Sequence, residues 1–457
     1  MEGVANTPDV AYLLSVAGGA IIMLLLLIMR FKIHAFVALT LVSLVTALAT
    51  GVAYDQVVTT MLGGFGSTLA GVALLVGLGA MIGRILEMTG GAKVLADTLI
   101  SRFGAHRAPL ALGVASLLFG FPIFFDAGLI VMLPIIFSVA KQFGGSVLKY
   151  ALPSAGAFAV MHAFMPPHPG PVAASELLGA NIGLLTIVGL LVAIPTWYLG
   201  AYLYGLWAGK KFDLPLPPSF TDPAAIPAGQ LPSFGQVISI LLLPLALIFM
   251  DTGLNTLGAM GMVDKGADWV NILRMVGKTP IALLITLLYA VWVFSKQQGK
   301  IQLEKFCNDA LAPVCAVILV TGAGGMFGGV LRASGIGAAL ADVLSDTGMP
   351  VILAAFLVST ALRVAQGSAT VALTTTAALM APMVAATPGL SELDLTFIVI
   401  AIAGGATVLS HFNDSGFWLV GRFLNMDVKT TLKTWTVMET LLGTIAFLIV
   451  AMASVVF

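Results

Sequence analysis

The sequence predicts an all-α polytopic membrane protein made of two inverted-topology repeats, each with a re-entrant helical hairpin and a broken transmembrane helix. Three observations support this prediction: an apolar composition, an internal repeat, and loop charges that reverse between the two halves. Of the 457 residues, 59% are hydrophobic and only 9% are charged, whereas a soluble domain has about 25% charged residues. Too few charges are present to cover the surface of a soluble protein of this length.

Long apolar runs occur along the whole chain, and most approach the roughly 20 residues that a helix needs to cross a bilayer. They lack the alternation of apolar and polar residues that the strands of a membrane barrel show. The chain is therefore expected to be an α-helical protein that crosses a lipid bilayer several times. The runs are residues 11–29, 35–53, 182–206, 235–250, 279–294 and 437–457.

An internal repeat divides the chain into two halves. Residues 77–99 superimpose without gaps on residues 322–344, and ten of the 23 positions are identical, four glycines and one aspartate among them. A proline-rich stretch lies between these segments. We therefore expect a first repeat over 1–207, a linker over 208–234 and a second repeat over 235–457.

The charges of the loops predict that the two repeats face opposite ways, because Lys and Arg accumulate in short cytoplasmic loops. In the first repeat the basic loops are 30–32 and 84–107, and the loop between them, 51–60, carries only Asp55. In the second repeat the middle loop, 295–305, is the basic one. This reversal predicts inverted repeats, an N-terminus outside and a cytoplasmic linker. Inverted repeats are typical of secondary transporters.

Two segments are too short for two full spans and predict re-entrant hairpins. The first lies at about 108–141, with its tip at "GFPIFFDAG" (120–128), and the second lies at about 350–382, with its tip near "RVAQGSAT" (363–370). Irregular backbone at membrane depth is tolerated only where protein or a watery cavity surrounds it. We therefore expect both tips at the centre of the protein.

A helix that breaks is predicted after each hairpin. The first runs over about 150–180 and is interrupted at "HAFMPPHPGP" (162–171); the second runs over about 396–425 and is interrupted at "SHFNDSGF" (410–417). The four interruptions are expected to converge on one site near the midplane, with helix N-termini directing partial positive charge at a bound anion.

Two charged residues in the predicted hairpin tips are the first candidates for chemistry. Asp126 lies in an apolar tip, where a carboxylate is costly unless it is protonated or paired, so it is either a proton carrier or a helix cap. Arg363 lies in the opposite tip, and its planar guanidinium suits a carboxylate. It is either a clamp for an anionic substrate or an interfacial arginine paired with an acid.

The interrupted helices add histidines and polar groups. His162 and His411 would relay protons or bind substrate, because histidine titrates near neutral pH, or they would tie broken helix ends together. His168 is a further candidate. The predicted proton-coupling residues are Asp126, His162, His411 and Asp414, and the predicted substrate-binding residues are Asp126, His162, His168, Arg363, Gln366, Gly367, Ser368, Thr370, His411, Asn413, Asp414 and Ser415.

Other function classes have less support. The formal net charge is zero and basic clusters are absent, so no nucleic-acid partner is expected. No motif of a zinc protease, an esterase or a kinase occurs, so neither an enzyme nor a metal or cofactor site is expected. The pair Gly79 and Gly83, like Gly324 and Gly328, favours close helix packing. A channel remains an alternative, although interrupted helices with titratable groups favour alternating access.

Four motifs resemble the gluconate permease (GntP-type) family: "GFPIFFDAGL", "PPHPGP", "RVAQGSATVA" and "HFNDSGFWL". The resemblance extends over nearly the whole chain. It departs from the family pattern at Ala163, where the family has Gly, and at Phe412, where Val is more common. These departures leave the family in place and weaken the case for its best-known substrate.

The resemblance implies proton symport of a sugar acid such as gluconate across a bacterial inner membrane, with the proton as the coupling ion and no cofactor. Related carriers take idonate, fructuronate, glycerate or D-serine. The family belongs to a wider ion-transporter superfamily, which implies a homodimer and an elevator-like movement. In this interpretation Arg363 meets the substrate carboxylate, Gln366, Ser368, Asn413 and Ser415 meet its hydroxyl groups, and Asp126 takes the proton.

Overall fold

The computed structural model describes residues 9–217, 231–259, 262–336, 339, 348–411 and 414–456. All regular structure in these ranges is helical, and none of the described residues forms a β-strand. Nine of the described helices or helical runs are long and apolar enough to cross a membrane. The predicted all-α polytopic class is therefore confirmed.

The described residues of the first half form ten α-helices. Most of the interruptions fall at glycine or proline, which end helices because glycine adopts positive φ and proline lacks an amide proton. In chain order they are α1 (Val10–Leu25), α2 (Ala35–Ala49), α3 (Tyr54–Met88), α4 (Gly91–Phe103), α5 (Ala108–Phe119), α6 (Phe125–Phe143), α7 (Leu148–Phe164), α8 (Pro169–Leu178), α9 (Ile182–Trp197) and α10 (Tyr204–Lys211).

The second half also contains ten described helices, and they follow a similar order. In both halves one long helix precedes a pair of helices joined by a short loop, a second pair joined by an irregular segment, and a final apolar helix. The second set is α11 (Phe234–Ala259), α12 (Asp268–Gly277), α13 (Thr279–Gln298), α14 (Lys300–Ala333), α15 (Val351–Gln366), α16 (Ala369–Ala386), α17 (Glu392–Thr407), α18 (Ser415–Phe423), α19 (Val428–Thr431) and α20 (Val437–Val456).

The two long helices α3 and α14 lie along each other and join the halves of the chain. Glycine makes this close approach possible. A Cβ atom on Gly64 would clash with the backbone oxygen of Gly325, and a Cβ atom on Gly325 would clash with the side chain of Thr68. Small residues allow helix backbones to approach closely in membranes, where there is no hydrophobic force between helices to bring them together.

Four breaks interrupt the helix pairs. The backbone leaves helical geometry at 120–124 between α5 and α6, at 165–168 between α7 and α8, at 367–368 between α15 and α16, and, between α17 and α18, at 408–411 and at Asp414. Gly367 ends α15 in the left-handed conformation, with φ of 83°, which glycine adopts without steric cost. These breaks position the candidate site.

The predicted linker at 208–234 begins within α10, and its residues 218–230 lie outside the described part of the chain. At the end of the internal repeat, residues 337, 338 and 340–344 also lie outside the described part. The division into repeats therefore remains a prediction here, supported by the similar order of helices in the two halves.

Candidate functional site

A cavity of about 530 Å³ lies where the four breaks meet. Its wall includes the first residue of each helix that follows a break: Phe125 of α6, Pro169 of α8, Ala369 of α16 and Ser415 of α18. Each helix N-terminus presents unpaired backbone N–H groups and partial positive charge. Four such termini around one cavity make it suitable for an anion.

Seven of the predicted site residues line this cavity, although they come from segments up to 289 positions apart. They are contributed by all four helix pairs, so the cavity depends on the tertiary fold and on no single motif. The seven residues are Asp126, His162, Arg363, Ser368, Thr370, Asp414 and Ser415.

Arg363 and Asp414 form a buried ion pair at the cavity wall. The Nη2 atom of Arg363 donates to Oδ2 of Asp414 at 2.5 Å, and Nη1 donates to the carbonyl oxygen of Gly367. Only 2% of the Arg363 surface is exposed. The arginine therefore already has an acidic partner within the protein, which was one of the two alternatives that the sequence left open.

Asp414 is held by several further donors. It is the N-cap of α18: its Oδ1 accepts from the backbone N–H of Gly416 at 3.1 Å, and its Oδ2 also accepts from the hydroxyl of Ser410. The Ser410 hydroxyl in turn accepts from Nε1 of Trp435 at 2.7 Å. Side-chain capping and charge-assisted hydrogen bonds restrict a carboxylate to one position, so this network fixes Asp414 in place at the start of α18.

Asp126 has a different environment, because it lies in the first turn of α6 and is exposed to the cavity. A negative charge in a first helical turn interacts favourably with the helix dipole. Asp126 and Asp414 are close enough for their charges to repel each other. Asp126 is thus an acid that the contents of the cavity can reach.

The two histidines of the first broken helix are adjacent but face different surroundings. The His162 ring lines the cavity, and no described residue provides a hydrogen-bond partner for its Nδ1 atom. The His168 ring lies 4.9 Å from it, centroid to centroid, and is buried behind the wall. His168 Nε2 lies 2.9 Å from the carbonyl oxygen of Gly120. Since a carbonyl only accepts, Nε2 carries the proton and ties α8 to the first break.

The remaining predicted site residues do not line the cavity or are not described. The Nε2 atom of His411 lies 3.1 Å from the carbonyl oxygen of Val364 and donates to it. The carbonyl oxygen of Gly367 accepts a hydrogen bond from Arg363. Gln366 ends α15, and its side chain lies outside the described atoms. Asn413 also lies outside the described residues.

Several cavity residues were missed by the sequence reasoning. Arg84 and Glu87 form an ion pair of 2.8 Å at the wall, and Asp309 and Glu439 also line the cavity. A signal existed for Glu439, because it is the one acid in the apolar run 437–457, and acids within apolar spans are functional candidates.

The sequence predicts that the glycine pair of α3, Gly79 and Gly83, packs closely against another helix. In the structure this pair packs instead against the two breaks of the first half. A Cβ atom on Gly79 would lie 2.6 Å from Cγ of Pro167, and one on Gly83 would lie 2.6 Å from the carbonyl oxygen of Pro122. The second pair follows the helix-packing prediction, because a Cβ atom on Gly324 would lie 2.7 Å from Cγ2 of Thr374 in α16. The long helix α3 therefore supports the cavity wall directly.

Comparison with known proteins identifies a family of permeases. A family model described as GntP family permease matches residues 11–456. The inner membrane permease YgbN of Escherichia coli K12 is 39% identical over 96% of this chain and 97% of its own length. The low-affinity gluconate transporter of the same organism is 36% identical over 95% and 96%, and the gluconate permease of Pseudomonas aeruginosa is 36% identical over 98% of both chains.

Two solved transporters share the fold at low sequence identity. The YdaH transporter of Alcanivorax borkumensis superimposes with a TM-score of 0.65 and 14% identity over 91% of this chain and 97% of its own. MtrF of Neisseria gonorrhoeae superimposes with a TM-score of 0.58 and 12% identity over 91% and 94%. At these identities the likeness concerns the fold alone.

Proposed function

The chain belongs to the GntP family of permeases, and on that premise we propose that it imports gluconate or a related sugar acid by proton symport across a bacterial inner membrane. The observation that carries the proposal is the convergence of four helix N-termini, an arginine and several acids on one cavity. Such a cavity suits a small anion that travels with a proton.

In this proposal the substrate carboxylate is held mainly by helix N-termini. The N-terminus of α18 is already capped by Asp414 and that of α16 by Ser368, whereas α6 and α8 have no side-chain cap. The backbone N–H groups in the first turn of α6 are donors for an anion, and α8, which begins Pro169-Gly170-Pro171, adds the N–H of Gly170. Arg363 contributes its positive charge and its Nε atom, which has no hydrogen-bond partner in the described part of the chain.

The hydroxyl groups of the sugar acid would be bound by the short polar side chains of the cavity. Ser368, Thr370 and Ser415 carry hydroxyls that both donate and accept. Gln366 and Asn413 were also predicted for this role, and they stay part of the proposal on sequence grounds alone.

For proton coupling we propose Asp126 and His162 as the groups that exchange protons with water in the cavity, since both line it. His411 and Asp414 were predicted for the same role. Asp414 is engaged by Arg363 and Ser410, and His411 donates to Val364, so both are better suited to holding the site together. The affinity for substrate is expected to rise as external pH falls from about 8 to 6.

The proposed mechanism is alternating access by an elevator-like movement in a homodimer. It rests on the similar order of helices in the two halves, on the loop charges that predict inverted repeats, and on the likeness in fold to two transporters. The same loop charges support an external N-terminus and a cytoplasmic linker.

The alternatives are a proton-coupled carrier of another small hydroxy or amino acid, such as D-serine, glycerate or fructuronate, and an anion channel. Purified protein in liposomes separates them. We expect saturable uptake of labelled gluconate and counterflow driven by unlabelled gluconate inside. A competition panel of unlabelled acids then ranks the substrates. Flux without saturation or counterflow would identify a channel, and stronger competition by D-serine than by gluconate would overturn the substrate class.

Asp126→Asn is expected to retain gluconate exchange and to lose accumulation driven by a pH gradient. The amide keeps the size of the side chain and one acceptor oxygen, but it cannot take up or release a proton in this pH range. Exchange and accumulation are measured in the same liposomes with the unaltered protein alongside. Normal accumulation by this variant would mean that Asp126 has a structural role in the first turn of α6 and carries no proton.

A further inference from the structure

Glu439 is a buried acid in the cavity that the proposed function does not yet use. It lies in the first turn of α20, lines the cavity and is 5% exposed. Its Oε1 atom has no hydrogen-bond partner among the described residues. A buried carboxylate oxygen without a donor is rare, because losing water without a replacement is costly.

The charged groups around Glu439 determine whether a negative charge on its side chain is balanced. It interacts electrostatically with Arg363 of α15 and with Asp414 before α18, and the preceding segment contributes the neutral Trp435. Of the elements packed against α20, α9 has no acid, base or histidine and the acids of α17 lie in its first turn. The helical segment 198–203 carries Tyr198 and Tyr202, and α7 carries Lys149 and Tyr150 in its first turn and His162 in its last. The other titratable groups near the cavity are Asp126, His162, His411, Arg84, Glu87 and Asp309.

The charges do not balance when Glu439 is ionised. Arg363 already donates to Asp414 and to the carbonyl of Gly367, so one buried cation would face two buried anions. A bound substrate carboxylate would add a third. Burying a charge without a partner costs several kcal/mol, and acids within membranes are neutralised or paired. A proton on Glu439 removes one negative charge whenever the substrate brings one in.

We propose that Glu439 is the residue that holds the co-transported proton while the substrate is bound. The carboxylate takes up the proton to become the neutral acid, and it gives the proton up after the anion has left, when the charge of Arg363 can be shared between Asp414 and Glu439. Asp126, which is exposed to the cavity, passes the proton between water and Glu439. This inference rests on proton symport as proposed above.

Glu439→Gln tests the inference, because glutamine imitates the protonated acid permanently. In purified unaltered protein the Kd for gluconate is expected to rise with pH, at most about tenfold per unit for one coupled proton. In Glu439→Gln the Kd should stay low and no longer depend on pH. Exchange should continue, and accumulation in a pH gradient should be lost.

Two further variants separate Glu439 from its neighbours. Asp126→Asn should lose accumulation and keep a pH-dependent Kd, because removing a relay leaves the equilibrium at Glu439 unchanged. Glu176→Gln is the matched control: Glu176 is an acid of the neighbouring helix α8, but it does not line this cavity. It should keep both the pH dependence and accumulation.

The outcomes distinguish the inference from the function on which it rests. If the unaltered protein does not bind gluconate or shows no pH dependence, the proposed function fails. If it does and Glu439→Gln keeps the same pH dependence, only the assignment of Glu439 is overturned. Loss of both binding and exchange in a folded Glu439→Gln protein would overturn it too, because the residue would then be a substrate ligand or a structural group.

A measurement on the unaltered chain covers the case in which Glu439→Gln does not fold. Hydrophobic carbodiimides modify protonated carboxyl groups in apolar surroundings, and peptide mass spectrometry locates the modified residue. We expect modification at Glu439 that decreases as pH rises and that requires the neutral acid. Absence of modification at Glu439 across the range in which gluconate affinity changes would contradict the inference.

Discussion

Arg363→Met is expected to abolish gluconate transport and to lower the free energy of unfolding by about 3–5 kcal/mol. Methionine has an apolar side chain of similar length, but it carries no charge and leaves the buried carboxylate of Asp414 without its cation. The same substitution removes the donor to the carbonyl of Gly367. That hydrogen bond stabilises the break between α15 and α16. Thermal unfolding in detergent and uptake by liposomes measure the two effects.

Two controls make this result specific. Arg84→Met breaks an ion pair that is partly exposed, so its stability should change by about 1 kcal/mol or less. The double variant Arg363→Met with Asp414→Asn removes both buried charges, and it should recover part of the lost stability without recovering transport. A single Arg363→Met protein that is as stable as the unaltered one would show that the buried pair does not hold the site together.

Gly83→Leu is expected to abolish transport and to destabilise the fold by about 1–3 kcal/mol through overpacking. Its side chain would have to occupy the space of the Pro122 carbonyl and the Ile123 side chain, since even a Cβ atom would lie 2.6 Å from that oxygen and 2.7 Å from Cγ1 of Ile123. The break that carries Asp126 into the cavity would be displaced.

Gly63→Leu is the matched control for this prediction. Gly63 lies in the same helix α3, and a Cβ atom there would have no neighbour within 4 Å. This variant should transport gluconate at close to the normal rate. Equal activity of the two variants would mean that the contact between α3 and the first break does not position the site.

Much of the architecture can be predicted from the sequence because it depends on local residue types. Apolar runs predict the membrane class, and glycine and proline mark the breaks. The tip predicted at 120–128 corresponds to a break at 120–124, and the one near 363–370 to a break at 367–368. Asp126 was singled out because an acid in an apolar segment has a high cost.

The pairing of side chains could not be predicted in the same way. Arg363 and Asp414 are 51 positions apart, and only the folded chain decides that the arginine binds this acid. Likewise, His168 shares a motif with His162, yet its direction toward Gly120 depends on how α8 meets the first break. Glu439 could have been predicted, since it is the one acid in the apolar run 437–457, but that run was interpreted only as a membrane-spanning helix.

The most direct test of the account measures gluconate accumulation in liposomes that contain the unaltered protein, with a pH gradient of one unit imposed, acidic outside. A carrier that moves one proton with each anion is electroneutral and should concentrate gluconate inside by about tenfold. A protonophore that collapses the gradient should release the accumulated label. Uptake that stops at equal concentrations, with or without the gradient, would contradict proton-coupled transport through this cavity.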